Sequence, residues 1–175
     1  MKKLATTSEK QLFICGSDER DKYRSREVTH LITIANPGVS TTRPAWFNGS
    51  HLQLWFGDVA SETDAKRCRT KPPTIDDVRQ GIEFFRGAWN LADSRVLISC
   101  DYGASRSPAL AYVCMGDQLG LGHESDALSL IMHIRPVAVP NRLVIEFGDR
   151  VLERNGTLLK PLNEFYRYLN EELDL

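Results

Sequence analysis

One stretch restricts the fold of this chain more than any other. Val96-Leu97-Ile98-Ser99-Cys100 runs into Asp101-Tyr102-Gly103-Ala104-Ser105-Arg106-Ser107-Pro108, and an apolar run over residues 109–115 follows. The residues before Cys100 suit a buried strand, and those after Pro108 suit a buried helix. Strand, tight loop and helix in that order aim successive backbone N–H groups at one point, at the positive end of the helix. Such a cradle holds a tetrahedral oxyanion. Gly103 allows a backbone angle that a side chain forbids. Arg106 is a planar fork that matches two phosphate oxygens. Cys100 stands at the base, where the same field favours a thiolate. The stretch thus offers a nucleophile and a phosphate pocket, the latter formed by Asp101, Tyr102, Gly103, Ala104, Ser105 and Arg106. The plainer alternative is a buried structural cysteine beside a surface arginine.

At 175 residues the chain is long enough for one domain with its own core. Residues 1–10 are expected to form a flexible N-terminus. The net charge of −1 gives no general electrostatic case for nucleic acid or membrane binding. Cys15, Cys68, Cys100 and Cys114 show no spacing that suggests a metal site or a disulfide framework. The first residues lack the apolar centre of a signal peptide, and no apolar run is long enough to span a bilayer. A reducing, cytoplasmic location and a monomeric state are expected.

Apolar, β-branched runs predict strands over residues 12–15, 28–34, 51–56 and 95–100. Residues 16–26 are highly charged, hence a loop or a short exposed helix. His30 falls within the second strand and reads as a packing residue. Residues 60–73 read as a solvated polar loop, whose Lys66, Arg67, Arg69 and Lys71 could instead form a basic rim for an anionic substrate. Thr74 and Asp77 make a capping box with Asp in place of Glu. Ile75, Val78, Ile82, Phe85 and Trp89 then mark one face of an amphipathic helix. Further helices are expected over residues 125–134, after a cap at Asn141, and around Leu162, Phe165, Tyr166 and Leu169. The pattern predicts a single α/β domain, with a mostly parallel central sheet of four to five strands flanked by helices.

Cysteine, five residues, arginine and serine, in this strand–loop–helix setting, resembles the active-site loop of the cysteine-dependent protein tyrosine phosphatases. The Gly-Ala-Ser-Arg-Ser-Pro ending is most similar to the dual-specificity branch. Two other stretches carry the resemblance. Leu54-Trp55-Phe56-Gly57-Asp58-Val59 resembles the strand and loop that bear that family's general acid. Arg135-Pro136 with Pro140-Asn141 resembles its Arg-Pro and Pro-Asn stretch. The likeness covers roughly residues 28–152 and is close to small, stand-alone bacterial members.

The resemblance implies a two-step phosphomonoesterase with a phosphocysteine intermediate. Cys100 would be the nucleophile, Arg106 and the loop would bind phosphate, Asp58 would be general acid and base, and Ser107 would stabilise the sulfur anion. No metal or organic cofactor is implied. The implied partner is a phosphorylated protein or a small phosphate ester, with free phosphate or sulfate expected to occupy the loop. Asp64 remains an alternative acid. Glu62 lies nearby, and Asp76 and Asp77 are better explained by a helix start. The chain departs from the family at Ser99, where a histidine is usual; serine still offers a hydroxyl. Arg135 would cap a helix C-terminus or make a second anion contact, the cap being favoured. Cys15 or Cys68 could protect Cys100 by a reversible disulfide.

Three other readings stay open. One takes a phosphoinositide, a nucleotide or an RNA 5′ end as substrate. Another is a weak, phosphate-binding pseudophosphatase. Arsenate reductases and rhodanese-like sulfurtransferases also carry Cys–Arg loops, but the first need a resolving cysteine that is not evident here.

Overall fold

The computed structural model describes residues 10–40 and 43–173; apart from Lys10, the expected flexible N-terminus lies outside them. Four strands, β1 (Gln11–Gly16), β2 (His30–Ala35), β3 (Ser50–Trp55) and β4 (Arg95–Cys100), form one sheet in the order β1-β4-β2-β3. Every neighbouring pair is parallel. The near-continuous apolar runs of β2 and β4 suit this, because helices cover both faces of a parallel sheet.

Parallel strands end along one edge. β4 lies between β1 and β2, and Gly16 pairs with Cys100, so β1 and β4 finish together. The chain leaves β2 at Asn36, and leaves β3 through Phe56 and Gly57 to Asp58. Ligands of open α/β sheets sit beyond such carboxyl ends. This topology therefore gathers segments that lie far apart in sequence.

Among the described residues are six α-helices, two between β3 and β4, namely α1 (Glu62–Cys68) and α2 (Ile75–Trp89), and four after β4, namely α3 (Arg106–Leu119), α4 (Glu124–Ile134), α5 (Arg142–Val151) and α6 (Leu159–Leu173). A 3-10 segment spans Ser17–Arg26. The capping box of α2 is made as its sequence predicts: Thr74 Oγ1 accepts from the Asp77 N–H at 3.1 Å, and the Asp77 carboxylate accepts from the Thr74 N–H at 2.9 Å. Its apolar stripe buries Val78, Ile82 and Phe85, each contributing about 1.5–3 kcal/mol of transfer free energy.

Helix α3 is the axis of the core. All its residues from Arg106 to Gly116 are buried, as expected of a helix apolar on every side. It packs against α2, α4 and α5. Gly148 lets α5 come close, since a Cβ there would lie 2.4 Å from Val113 Cγ2. The Tyr112 hydroxyl donates to the Leu158 carbonyl at 2.9 Å, which satisfies a polar group inside the core. Helix α3 begins at Arg106, ahead of the apolar run, because Ser107 and Pro108 fit its first turn, where no intrahelical N–H bond is needed.

The polar segment 60–73 differs from the expected loop. It contains α1, whose start is fixed by Ser61 Oγ accepting from the Asp64 N–H at 3.1 Å. Only Ala65 of α1 is buried, so there was little apolar periodicity to read. Among the described residues no helix is long and apolar enough to cross a membrane.

Candidate active site

The loop after β4 is held open from outside. The Asp101 carbonyl accepts from the Ser17 N–H at 3.0 Å, and the Ala104 and Ser105 carbonyls accept from the N–H groups of Val139 at 2.7 Å and Asn141 at 3.1 Å. Arg135 takes the two between them: its Nη2 donates to the Tyr102 carbonyl at 3.0 Å and its Nε to that of Gly103 at 3.2 Å. A trans peptide sets each N–H opposite its preceding carbonyl. Five carbonyls anchored outward therefore turn the N–H groups of residues 102–106 toward the centre. Such an arrangement is what binding of an anion by backbone N–H groups requires.

Gly103 is needed twice over. Its φ is +66°, and a Cβ there would come within 2.4 Å of the Cys15 carbonyl carbon. The loop thus rests directly on the backbone of β1.

At the head of the loop Cys100 is buried, and Ser107 Oγ donates to its Sγ at 3.2 Å. The Arg106 side chain is only 2% exposed. Its Nη1 donates to Asn36 Oδ1 and to the Phe56 carbonyl, both at 2.9 Å, and its Nη2 donates to Asp101 Oδ2 at 2.7 Å. Its Nε has no hydrogen-bond partner among the described residues and lies 3.9 Å from Asp58 Oδ2. Asp58 Oδ1 accepts from Ser105 Oγ at 2.7 Å and from Asn141 Nδ2 at 2.8 Å. Asn36, Asp58, Asp101, Tyr102 and Arg106 line one cavity of about 360 Å3. Tyr102 is 81% exposed and stands at its rim.

The two candidate acids separate clearly. Asp58 touches the loop. Asp64 instead bonds Ser61 and Arg67 within the first turn of α1, as a helix start favours. The basic stretch is partly neutralised, with Arg67 paired to Asp64 and Lys71 to Asp77.

Arg135 departs from the favoured expectation. Its backbone N–H caps α4 by donating to the Ile131 carbonyl, but its guanidinium crosses to brace the loop. Glu19 holds it there through a 2.7 Å ion pair. That Arg135 bond, with a second from the Gly16 N–H, lowers the Glu19 carboxyl to about 2. Ser99 also corrects an expectation: its hydroxyl is buried and has no partner among the described residues, so it supplies nothing to the loop. Cys15 lies beneath the loop, its thiol pushed up to about 12, first by burial and then by the Glu19 charge. Cys68 is exposed and lines the same cavity as Asp58 and Arg106.

Three site residues escaped the sequence reading in whole or part. Asn36 was read as turn chemistry, yet its amide bridges Arg106 and Asp101. Asn141 was read as a helix cap, which it is, with Oδ1 accepting from the Val144 N–H at 3.1 Å. Its Nδ2 also holds Asp58. Glu19 gave no signal at all.

No family model and no curated protein matches the chain. Solved structures do. Human DUSP28 is 18% identical with a TM-score of 0.61, over 82% of this chain and 92% of that one. DUSP15 is 22% identical with a TM-score of 0.60, over 91% and 94%. PTPMT1, solved in complex with PI(5)P, is 17% identical with a TM-score of 0.56, over 83% and 94%. The order of the strands, the loop above them and these likenesses together show that the chain has the fold of the dual-specificity branch of the protein tyrosine phosphatases.

Proposed function

We propose that this chain is a cysteine-dependent phosphomonoesterase that hydrolyses phosphotyrosine in proteins, and phosphoserine or phosphothreonine where they reach the loop, through a phosphocysteine intermediate. The observation that carries this reading is the convergence of Asp58 and Arg106 on one cavity over the Cys100 loop.

In the first step the Cys100 sulfur anion attacks phosphorus and the bond to the leaving oxygen breaks. The inward N–H groups and Arg106 stabilise the three equatorial oxygens, over which the charge is spread. Asp58 gives its proton to the leaving oxygen. Ser105 and Asn141 both donate to Oδ1, which leaves Oδ2 to carry that proton. In the second step Asp58 takes a proton from water, water oxygen bonds to phosphorus, and the S–P bond breaks. The hydrogen bond from Ser107 stabilises the departing sulfur. A thiol with this duty calls for a reducing compartment.

A phosphoinositide, nucleotide or RNA 5′ end would draw on the basic stretch around α1, where Arg67 and Lys71 already have carboxylate partners. A phosphate-binding module without turnover is the second reading, favoured by the unpartnered Ser99 hydroxyl. A mere binder, however, has no need of Cys100 with Ser107 bonded to it. Hydrolysis of para-nitrophenyl phosphate separates the two. Wild type turns over, and Cys100→Ser loses turnover while still binding phosphate. A wild type that binds phosphate without turnover leaves the binding module, and full activity of Cys100→Ser removes the mechanism.

A further inference from the structure

The Asp101 carboxylate is the one part of the site that a phosphate pocket does not require. Its Oδ2 accepts from Arg106 Nη2 at 2.7 Å and from Asn36 Nδ2 at 3.0 Å. Asn36 Oδ1 in turn accepts from Arg106 Nη1. An internal anion thus already engages the guanidinium. Asp101 is also a shared wall. It lines the catalytic cavity and a second cavity of about 420 Å3, which Asp18, Arg20 and Asp21 line as well.

Resting on the phosphatase reading, we infer that Asp101 determines specificity: its carboxylate stands in for substrate on Arg106 and biases the site toward singly phosphorylated groups. Incoming phosphate must displace it from Nη2, and two anions near one guanidinium repel each other. A substrate with a second phosphate meets that repulsion twice. One phosphate goes to the loop, while the other nears Asp101 and the cavity beyond it, where Asp18 and Asp21 outnumber Arg20. A phosphotyrosine with neutral or cationic neighbours avoids the second penalty. The class selected is therefore the singly phosphorylated side chain, and the class rejected is the polyphosphorylated headgroup.

A purely structural role for Asp101 makes the opposite prediction, since loss of its carboxylate would then free Arg106 and weaken anion binding. Calorimetric titration of inorganic sulfate into wild type, Asp101→Asn and Asp101→Ala decides between them. Asp101→Asn keeps the shape and removes only the charge. Both variants are expected to bind sulfate more tightly by about tenfold or more, the worth of one charge-assisted hydrogen bond. The KM for para-nitrophenyl phosphate falls in parallel. The preference for phosphotyrosine over a soluble inositol bisphosphate, as a ratio of kcat/KM, shrinks in Asp101→Asn. Sulfate binding to wild type with equal or weaker binding to both variants overturns the inference and leaves the phosphatase reading standing. Tighter sulfate binding with an unchanged ratio overturns the selectivity. Sulfate binding to none of the three proteins overturns the site reading and this inference together.

Discussion

Replacing Gly103 by alanine tests whether the loop owes its shape to its seat on β1. The new methyl would sit 2.4 Å from the Cys15 carbonyl carbon and 2.5 Å from the Gly16 nitrogen. Comfortable carbon contacts need about 3.5–4.0 Å, so something must retreat by about 1 Å. Cys15 resists this, because it is paired in register with Ser99 of β4 and its side chain is buried beneath the loop. The loop must move. The left-handed angle costs alanine about 1–2 kcal/mol, and the overpacking about 1–3 kcal/mol more. For a chain of this size, a loss of about 2–5 kcal/mol lowers the melting temperature by about 5–15 °C. Displacing the cradle by about 1 Å costs about a hundredfold in turnover. Gly122→Ala separates the two terms, because its φ is +87° with nothing within 4 Å of the added carbon. It carries the strain without the clash, and should melt slightly early with full activity. Thermal melts and para-nitrophenyl phosphate kinetics on both variants suffice. If Gly103→Ala melted within about 2 °C of wild type and kept its turnover, the account of the loop as seated on β1 would be wrong.

Other substitutions probe the remaining parts of the site. Asp58→Asn is expected to cut kcat on a phosphotyrosine peptide by about a hundredfold or more, and by less on an activated nitrophenyl ester; Asp64→Asn is expected to leave kcat unchanged and lower the melting temperature slightly through loss of the negative charge in the first turn of α1 and its pair with Arg67. Glu19 titrates at about 2 in the fold against an ordinary 4.5, so its contribution is full above about pH 4.5 and disappears as pH falls toward 2. Denaturant melts should therefore find Glu19→Gln less stable than wild type by about 1 kcal/mol at neutral pH, with the gap closing only in that acid window. Arg135→Ala leaves the Tyr102 and Gly103 carbonyls without their donors, and its kcat/KM should fall about tenfold or more while Arg135→Lys recovers only part. Ser99→Ala removes a buried hydroxyl that bonds to nothing described, so it should be neutral or stabilising by up to about 1 kcal/mol in melts, with unchanged kinetics.

Much of the architecture was legible because it rests on local pattern. β2 and β4 are continuous apolar runs, Thr74 and Asp77 announce the start of α2, and the spacing from Cys100 to Arg106 already implies a cradle. What stayed hidden depends on contacts across the chain. Arg135 lies 32 residues from Gly103, and nothing in its neighbourhood says whether it serves its own helix or a distant loop. Its backbone does one and its side chain the other. Asn141 has the same double duty, with the cap written in local sequence and the bond to Asp58 visible only once β3 and α5 are placed. Helix α1 went unread because a helix that buries one alanine leaves almost no periodicity. The acid could be narrowed to two aspartates by position, but only the parallel sheet, which delivers the end of β3 beside the end of β4, separates Asp58 from Asp64.

The outward anchoring of the loop carbonyls draws on two distant stretches of chain: Ser17 after β1, and the segment that carries Arg135, Val139 and Asn141. No partly assembled intermediate can own a complete ring, since each missing stretch frees a carbonyl to swing inward. A small anion should thus recognise only molecules that have finished folding. Free phosphate at about a hundred times its dissociation constant would then shift unfolding by about 2.7 kcal/mol, making a common salt a reporter of how many molecules in a preparation have reached their final form.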